Sequence, residues 1–232
     1  MNKTGISWTD MTWNPVTGCS KVSPGCKNCY AEAWSNRWKR SFEVTLHPEK
    51  LKEVKKIPSG SKVFVNSMSD LFHEKVPDPF ILSVWKAIES RPDVIFQILT
   101  KRPERAGNWV IPNNVWLGVS VESELVMDRI DHLRCAGNLM IERFISFEPL
   151  LGDIGEVDFR LIDWIIIGGE SGPYHRPMNI EWARNLIRQA KEQGVAVWMK
   201  QLGGLHPGGE LEEFPEDLRL REFPHEVKEA PE

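Results

Sequence analysis

From Lys62 onward, short apolar and β-branched runs alternate with longer stretches whose apolar residues recur every three or four positions. The runs are Lys62-Val-Phe-Val, Val94-Ile-Phe-Gln-Ile-Leu, Val115-Trp-Leu-Gly-Val-Ser-Val, Arg143-Phe-Ile-Ser-Phe, Trp164-Ile-Ile-Ile-Gly and Val195-Ala-Val-Trp-Met. Between them, segments such as 79–90 and 180–192 read as helices. Strand, helix and strand recurring every ~20 to 35 residues predict parallel βα units. A first strand near Ile6 to Trp13 brings the total to about seven, one short of a full (β/α) barrel. The expected fold is therefore α/β, a partial or distorted TIM-like barrel, with a doubly wound open sheet as the alternative.

The polar positions follow the same rhythm. Each run is succeeded by polar residues: Ser67 and Asp70; Thr100, Lys101 and Arg102; Ser120 and Glu122; Ser146 and Glu148; Gly168, Gly169, Glu170 and Ser171; Lys200 and Gln201. In parallel βα folds these strand ends converge on one face, where ligands bind. Solvated loops are polar for simpler reasons, but Glu122, Glu148 and Glu170 directly follow apolar runs. A buried carboxylate needs a partner, and Lys101, Arg102, Arg176 and Lys200 are available. Lys101, Glu122, Glu148 and Lys200 are the candidate catalytic groups. Ser67, Asp70 and the turn Gly168 to Ser171 are candidates for cofactor binding; the glycine pair can bring amides close to an anion or simply make a tight turn. His73, three residues after Asp70, reads as a hydrogen-bonding or surface histidine in preference to a metal ligand.

Length and charge narrow the class. The 232 residues suit one domain, with 1–204 as the barrel and 205–232 as an extension packed on it. Pro207, Gly208-Gly209 and the acidic Glu210-Leu-Glu-Glu break the βα rhythm there. No export signal opens the chain and no run is long enough to span a bilayer, so a cytoplasmic protein without a membrane partner is expected. The net charge of −4 offers nucleic acid no general attraction, although a local basic groove is compatible with it.

Three of the four cysteines, Cys19, Cys26 and Cys29, lie in a loop spanning 14–30 with the spacing C-x6-C-x2-C, punctuated by Pro15, Gly18, Pro24 and Gly25. In a reducing compartment such a cluster indicates a metal or redox site, and the isolated Cys135 reads as a small buried apolar residue. Three thiolates are one short of a closed site, so an iron–sulfur cluster held here keeps one iron open. A structural zinc site completed by a histidine or carboxylate, with the barrel binding a ligand or partner, is a second reading; free or redox-sensing thiols are a third. The helix expected after the loop carries Tyr30, Trp34 and Trp38 at i, i+4 and i+8, a spacing that would pack the loop onto the body. The other tryptophans read as core.

The cysteine loop after a first strand, Leu99-Thr-Lys-Arg, Val119-Ser-Val and Phe147-Glu-Pro-Leu-Leu at later strand ends resemble the radical S-adenosylmethionine superfamily, nearest its spore-photoproduct-lyase-like branch. With Asn66-Ser-Met-Ser-Asp70 and Gly168-Gly-Glu-Ser-Gly172, the whole chain is similar to the phage Gp37/Gp68 family. The resemblance implies an enzyme, a lyase or transferase, in which Cys19, Cys26 and Cys29 hold a [4Fe–4S] cluster. S-adenosylmethionine would chelate the open iron, and reductive cleavage of its C–S bond would release a carbon radical. It also implies an electron donor such as flavodoxin or ferredoxin, and an unidentified substrate, with a nucleobase or nucleic acid as one candidate. Two departures from the superfamily pattern stand out. Its usual first gap is three residues, and Asn28 occupies a position where it carries an aromatic. Its Gly-Gly-Glu normally follows the second strand, where this chain has Ser67-Met-Ser-Asp70.

Overall fold

A computed structural model describes residues 2–206, 208 and 213–224. Strand β1 (Asn2–Lys3) pairs antiparallel with β2 (Met11–Trp13), and β3 (Val16–Thr17) with β4 (Thr45–Leu46) makes a separate two-stranded ribbon. Then come β5 (Lys62–Val65), β6 (Ile95–Thr100), β7 (Val115–Ser120), β8 (Arg143–Phe147), β9 (Trp164–Gly168) and β10 (Ala196–Gln201). The main sheet has the order β1-β2-β5-β6-β7-β8-β9-β10, and from β2 onward every pairing is parallel. These seven parallel strands curl into a half-barrel, so the partial barrel is the fold and the doubly wound sheet is not.

Parallel neighbours require a crossover between them, and the crossovers place α2 (Asp78–Glu89), α3 (Pro103–Ala106), α4 (Asp128–Cys135) and α5 (Ile180–Glu192) along the convex side. Helix α5 shows how sequence sets this packing. The Asn179 side chain caps it by accepting from the Glu181 amide at 3.0 Å, and Ala183, Leu186, Ile187 and Ala190 form the buried stripe. Covered on both faces, β7, β8 and β9 are buried at every position, which is why they read as continuous apolar runs.

Side chains alternate between two apolar clusters. Val63, Val65, Ile98, Leu117, Ile145, Ile165 and Val197 meet the helices in the larger one. Phe64, Trp116, Phe144, Trp164 and Trp198 point to the concave side, where Trp8 joins them and Phe223 packs from the chain's end. Trp164 stands at the centre of this plug, with ring centroids of Trp116, Phe144 and Phe223 at 5.8, 5.5 and 5.5 Å. The floor of the half-barrel is thus solid.

Two expectations are corrected. Cys135 is exposed, because Leu133 and Ala136 occupy the core side of the last turn of α4. Helix α1 (Tyr30–Arg37) forms as expected, but it buries only Ala31, and Trp34 and Trp38 are 60% and 61% exposed. The described part of the C-terminal extension runs along β10: the Met199 amide donates to the Leu220 carbonyl at 2.8 Å and the Glu222 amide to Val197 at 3.0 Å. Residues 209–212, with most of the acidic Glu210-Leu-Glu-Glu, lie outside the described residues.

Candidate active site at the mouth of the half-barrel

The cysteine loop lies across the carboxyl ends of the strands and is fastened to one strand end after another. At the β5 end, the Asn66 side chain accepts from the Val16 amide at 3.1 Å, and Asn14 accepts from the Ser67 hydroxyl and the Met68 amide, each at 3.2 Å. The Tyr30 hydroxyl donates to the Ser67 carbonyl. Beyond β6, Arg102 donates to the Cys19 sulfur at 3.6 Å and to the Ser20 carbonyl and hydroxyl at 3.1 and 2.9 Å. Beyond β7, Glu122 accepts from the Ser23 hydroxyl at 3.0 Å. Beyond β9, Glu170 accepts from the Asn28 side chain at 2.8 Å, and the Tyr174 carbonyl accepts from the same group at 2.7 Å.

Two glycines make this seat possible. Gly18 has φ +81°, and a Cβ there would lie 2.1 Å from the Glu43 carbonyl oxygen; a Cβ on Gly25 would lie 2.4 Å from the Glu122 side chain. The loop therefore rests directly on a carboxylate that is only 1% exposed.

The carboxylates of the mouth are each neutralised by a cation. Glu122 pairs with Lys101 and, at 3.0 Å, with Arg129. Glu148 pairs with Lys200 at 2.5 Å. Glu170 receives the Arg176 backbone amide at 2.8 Å, Nε at 2.9 Å and Nη2 at 2.5 Å. Asp70 accepts from Thr100 Oγ1 at 2.8 Å, the amides of Phe72 and Lys101 at 3.0 Å each, and Arg102 at 3.3 Å. Burial alone would raise the pKa of Glu122, but Lys101, then Arg129 and Ser23, outweigh it and hold the carboxyl below its ordinary value. Glu170 is held down in the same way, against burial, by Arg176 and Asn28.

Around the thiols the balance differs. Cys19 has its pKa pushed up, first by burial and then by the charge of Asp70, with Arg102 opposing. A ligand that takes this sulfur as thiolate must therefore displace a proton. His73 Nδ1 accepts from the Lys75 amide at 3.1 Å while Nε2 faces Ser20 Oγ at 2.8 Å, so Nε2 carries the hydrogen in a neutral ring. Burial, then the charge of Arg102, lowers its pKa and keeps it neutral, which discounts the 3.4 Å approach of Glu74 as an ion pair. His73 is the hydrogen-bonding histidine of the sequence reading. Tyr30 is half exposed as a whole, but its phenol end is enclosed enough that burial, then the charges of Cys29 and Glu148, raise its pKa.

All three loop cysteines are free and half-buried. Among the described residues, the group whose potential ligand atoms all fall within 4.8 Å of one another is Glu104, Asp128 and His132, on α3 and α4; the three cysteines form no such group. A single tetrahedral zinc, with Zn–S of about 2.3 Å, would hold its sulfurs closer than that limit.

The turn at the β9 end is built for close packing. The amide of Gly169 donates to the Gln201 carbonyl at 3.0 Å, that of Gly172 to Gly204 at 2.9 Å, and Ser171 forms a bridge with Gly204. A Cβ on Gly169 would lie 2.4 Å from the Leu202 carbonyl. The Gly169 amide considered for an anion is thus committed to the end of β10, and the Gly172 amide to the loop after it. Sequence reasoning missed Ser23, Asn28 and Arg129, whose roles arise from partners 99, 142 and 7 positions away. The only early signal was Asn28 standing where an aromatic residue was expected.

The profile of the family described as "Protein of unknown function (DUF5131)" matches residues 3–224. The chain belongs to that family. No curated protein matches it in sequence. Its fold is similar to that of spore photoproduct lyase. The lyase complexed with a dinucleoside spore photoproduct aligns with a TM-score of 0.50 at 12% identity, over 82% of this chain and 63% of the lyase. A mutant of the same enzyme gives 0.51 at 13% over the same shares. The chain therefore spans less than two thirds of the length of those structures, and at this identity the likeness is one of fold.

Proposed function

We propose that this chain is a radical S-adenosylmethionine enzyme whose Cys19, Cys26 and Cys29 hold a [4Fe–4S] cluster over the mouth of the half-barrel. One observation carries the reading: a loop with three free thiols, and no fourth, is fastened across the strand ends where βα folds bind ligands. The shared fold with spore photoproduct lyase supports it. When bound, the cluster and S-adenosylmethionine supply one-electron reductive cleavage of a C–S bond and the carbon radical it yields.

The chain's own residues do the rest. Arg102 steadies Cys19, while Ser23 and Asn28 anchor the loop on either side of Cys26. Ser67, and those groups of the turn from Gly168 to Ser171 that are not already bonded to β10, Arg176 or Asn28, would contact the cofactor. Asp70, its oxygens filled by four donors, acts by fixing the β6 end. The Lys200–Glu148 pair, and Lys101 on its exposed side, can donate or accept a proton at a group entering the mouth, while the buried Glu122 holds Lys101 in place; the aromatic floor excludes water from below. An external one-electron carrier of the flavodoxin or ferredoxin type would reduce the cluster, in a cytoplasmic setting that keeps the thiols reduced.

Protein reconstituted with iron and sulfide without oxygen should be brown and should cleave S-adenosylmethionine once reduced. Cys26→Ala should lose colour and cleavage together while keeping the far-UV circular dichroism of the parent. A colourless zinc-bound protein, or cleavage that persists in the variant, would overturn the assignment.

A further inference from the structure

The exposed aromatic rings are not scattered. Among the described residues, the large exposed hydrophobics include four aromatics: Tyr30 at the end of the cysteine loop, Trp34 and Trp38 on the helix that leaves it and at that helix's end, and Tyr174. Tyr30 follows Cys29 directly, and Tyr174 is tied to the loop through Asn28. Trp34 and Trp38 belong to neither apolar cluster. They stand one helical turn apart, the Trp38 amide donating to the Trp34 carbonyl at 3.2 Å, so their backbone positions are separated by a rise of about 6 Å along the axis. Tyr30 precedes them by one more turn with its hydroxyl end at the mouth. The three rings form a line leading outward from the site.

Charge accompanies the rings. Residues 21–40 carry Lys21, Lys27, Arg37, Lys39 and Arg40 against the single Glu32, a strong local surplus in a chain whose net charge is −4. Lys21 pairs with Glu32 at 2.9 Å; Lys27, Arg37, Lys39 and Arg40 pair with no carboxylate among the described residues. Lys39 holds φ 51°, a left-handed position where glycine is cheaper, and the Arg40 amide closes the helix end on Ser35 at 2.9 Å. This fixes two cations beside Trp38.

From these observations we infer that α1 is a landing track for single-stranded nucleic acid, with bases stacking on Trp34 and Trp38 and the backbone held by Arg37, Lys39 and Arg40. Interleaved rings and cations are the combination that binds an unpaired strand. Rings anchored about one helical turn apart suit splayed bases, which a duplex does not offer. A line running into the mouth fits a linear ligand; a globular acidic electron carrier would be met by a broad patch and is the competing occupant. The inference gives the proposed enzyme a substrate class, yet the binding it asserts does not require a cluster.

The test uses the full chain without iron, so that it is independent of radical chemistry. Labelled single strands of about 16 nucleotides, DNA and RNA in separate arms, are titrated by anisotropy alongside the duplex and heparin. Expected are quenching of tryptophan fluorescence, preference for a single strand over the duplex, and a steep loss of affinity with salt. Trp34→Ala with Trp38→Ala should weaken binding about tenfold or more, whereas Trp34→Phe with Trp38→Phe should retain most of it. Arg37→Glu with Arg40→Glu should weaken it and flatten the salt dependence. All variants should take up iron and sulfide as the parent does. Equal binding of heparin and oligonucleotide, insensitivity to the tryptophan changes, or binding only of an acidic flavodoxin or ferredoxin would each overturn the track. Loss of iron uptake in the cysteine variants with oligonucleotide binding intact bears on the enzyme alone.

Discussion

The concave face of the half-barrel holds two environments on the same strands, a few residues apart. At its floor, Phe64, Trp116, Phe144, Trp164 and Trp198 pack ring against ring. At its mouth, Glu122, Glu148, Glu170 and Asp70 are matched by Lys101, Arg129, Lys200, Arg176 and Arg102. On β8 the change takes two steps of the same alternation: Phe144, Ser146, then Glu148. The floor stabilises by burying area and tolerates no gap. The mouth is held by charges that each need a specific partner, so its contribution is conditional on pH and on every partner remaining in place.

The contrast can be broken at its strongest point by Trp164→Ala. Emptying the centre of the floor should cost about 3–5 kcal/mol in urea unfolding, and a loss below 1 kcal/mol would mean the plug is not a packed unit. At the mouth, Glu122→Gln leaves Arg129 and Lys101 short of a counter-charge inside the protein and should cost about 3 kcal/mol. Because Ser23 also loses a charged acceptor, cluster uptake through Cys26 should fall too, whereas Trp164→Ala should impair uptake only as far as it unfolds the chain. Gly118→Ala probes the layer between. Its Cβ would lie 2.4 Å from the Phe144 ring, and the overpacking should cost about 1–3 kcal/mol by the same measurement.

The smallest effect is the most diagnostic. Glu122 and Glu170 are held below the ordinary glutamate pKa, so their contribution is complete above about pH 4.3 and is lost as pH falls through their folded values. Unfolding curves should therefore show a decline on acidification below that point, which Glu122→Gln and Glu170→Gln each reduce. Floor variants should shift the whole profile without changing its shape, and a parallel shift in the mouth variants would contradict the comparison.

Much of this was legible in the residues. The β-branched runs marked all six later strands, because a sheet covered on both faces must be apolar at nearly every position. The need of a buried carboxylate for a counter-charge pointed to Lys101, Arg176 and Lys200, which do pair with the strand-end glutamates, but not to Arg129, and Arg102 pairs with Asp70 instead. Legibility failed for α1. Its i, i+4, i+8 aromatic spacing promised a packed face, yet spacing establishes only that side chains share a face, and here only Ala31 turns to the core.

What the chain determined locally was periodicity, hence strands, helices and the direction of the mouth, together with a loop too rich in proline and glycine to be regular. What only the tertiary structure decided was the seating of that loop: Ser23 on Glu122, Asn28 on Glu170, Arg102 on Cys19 and Asp70. Those contacts join positions 32 to 142 apart in sequence. Periodicity arises from neighbours along the backbone, whereas a charge in a low-dielectric interior takes whichever partner the curvature of the sheet brings within reach.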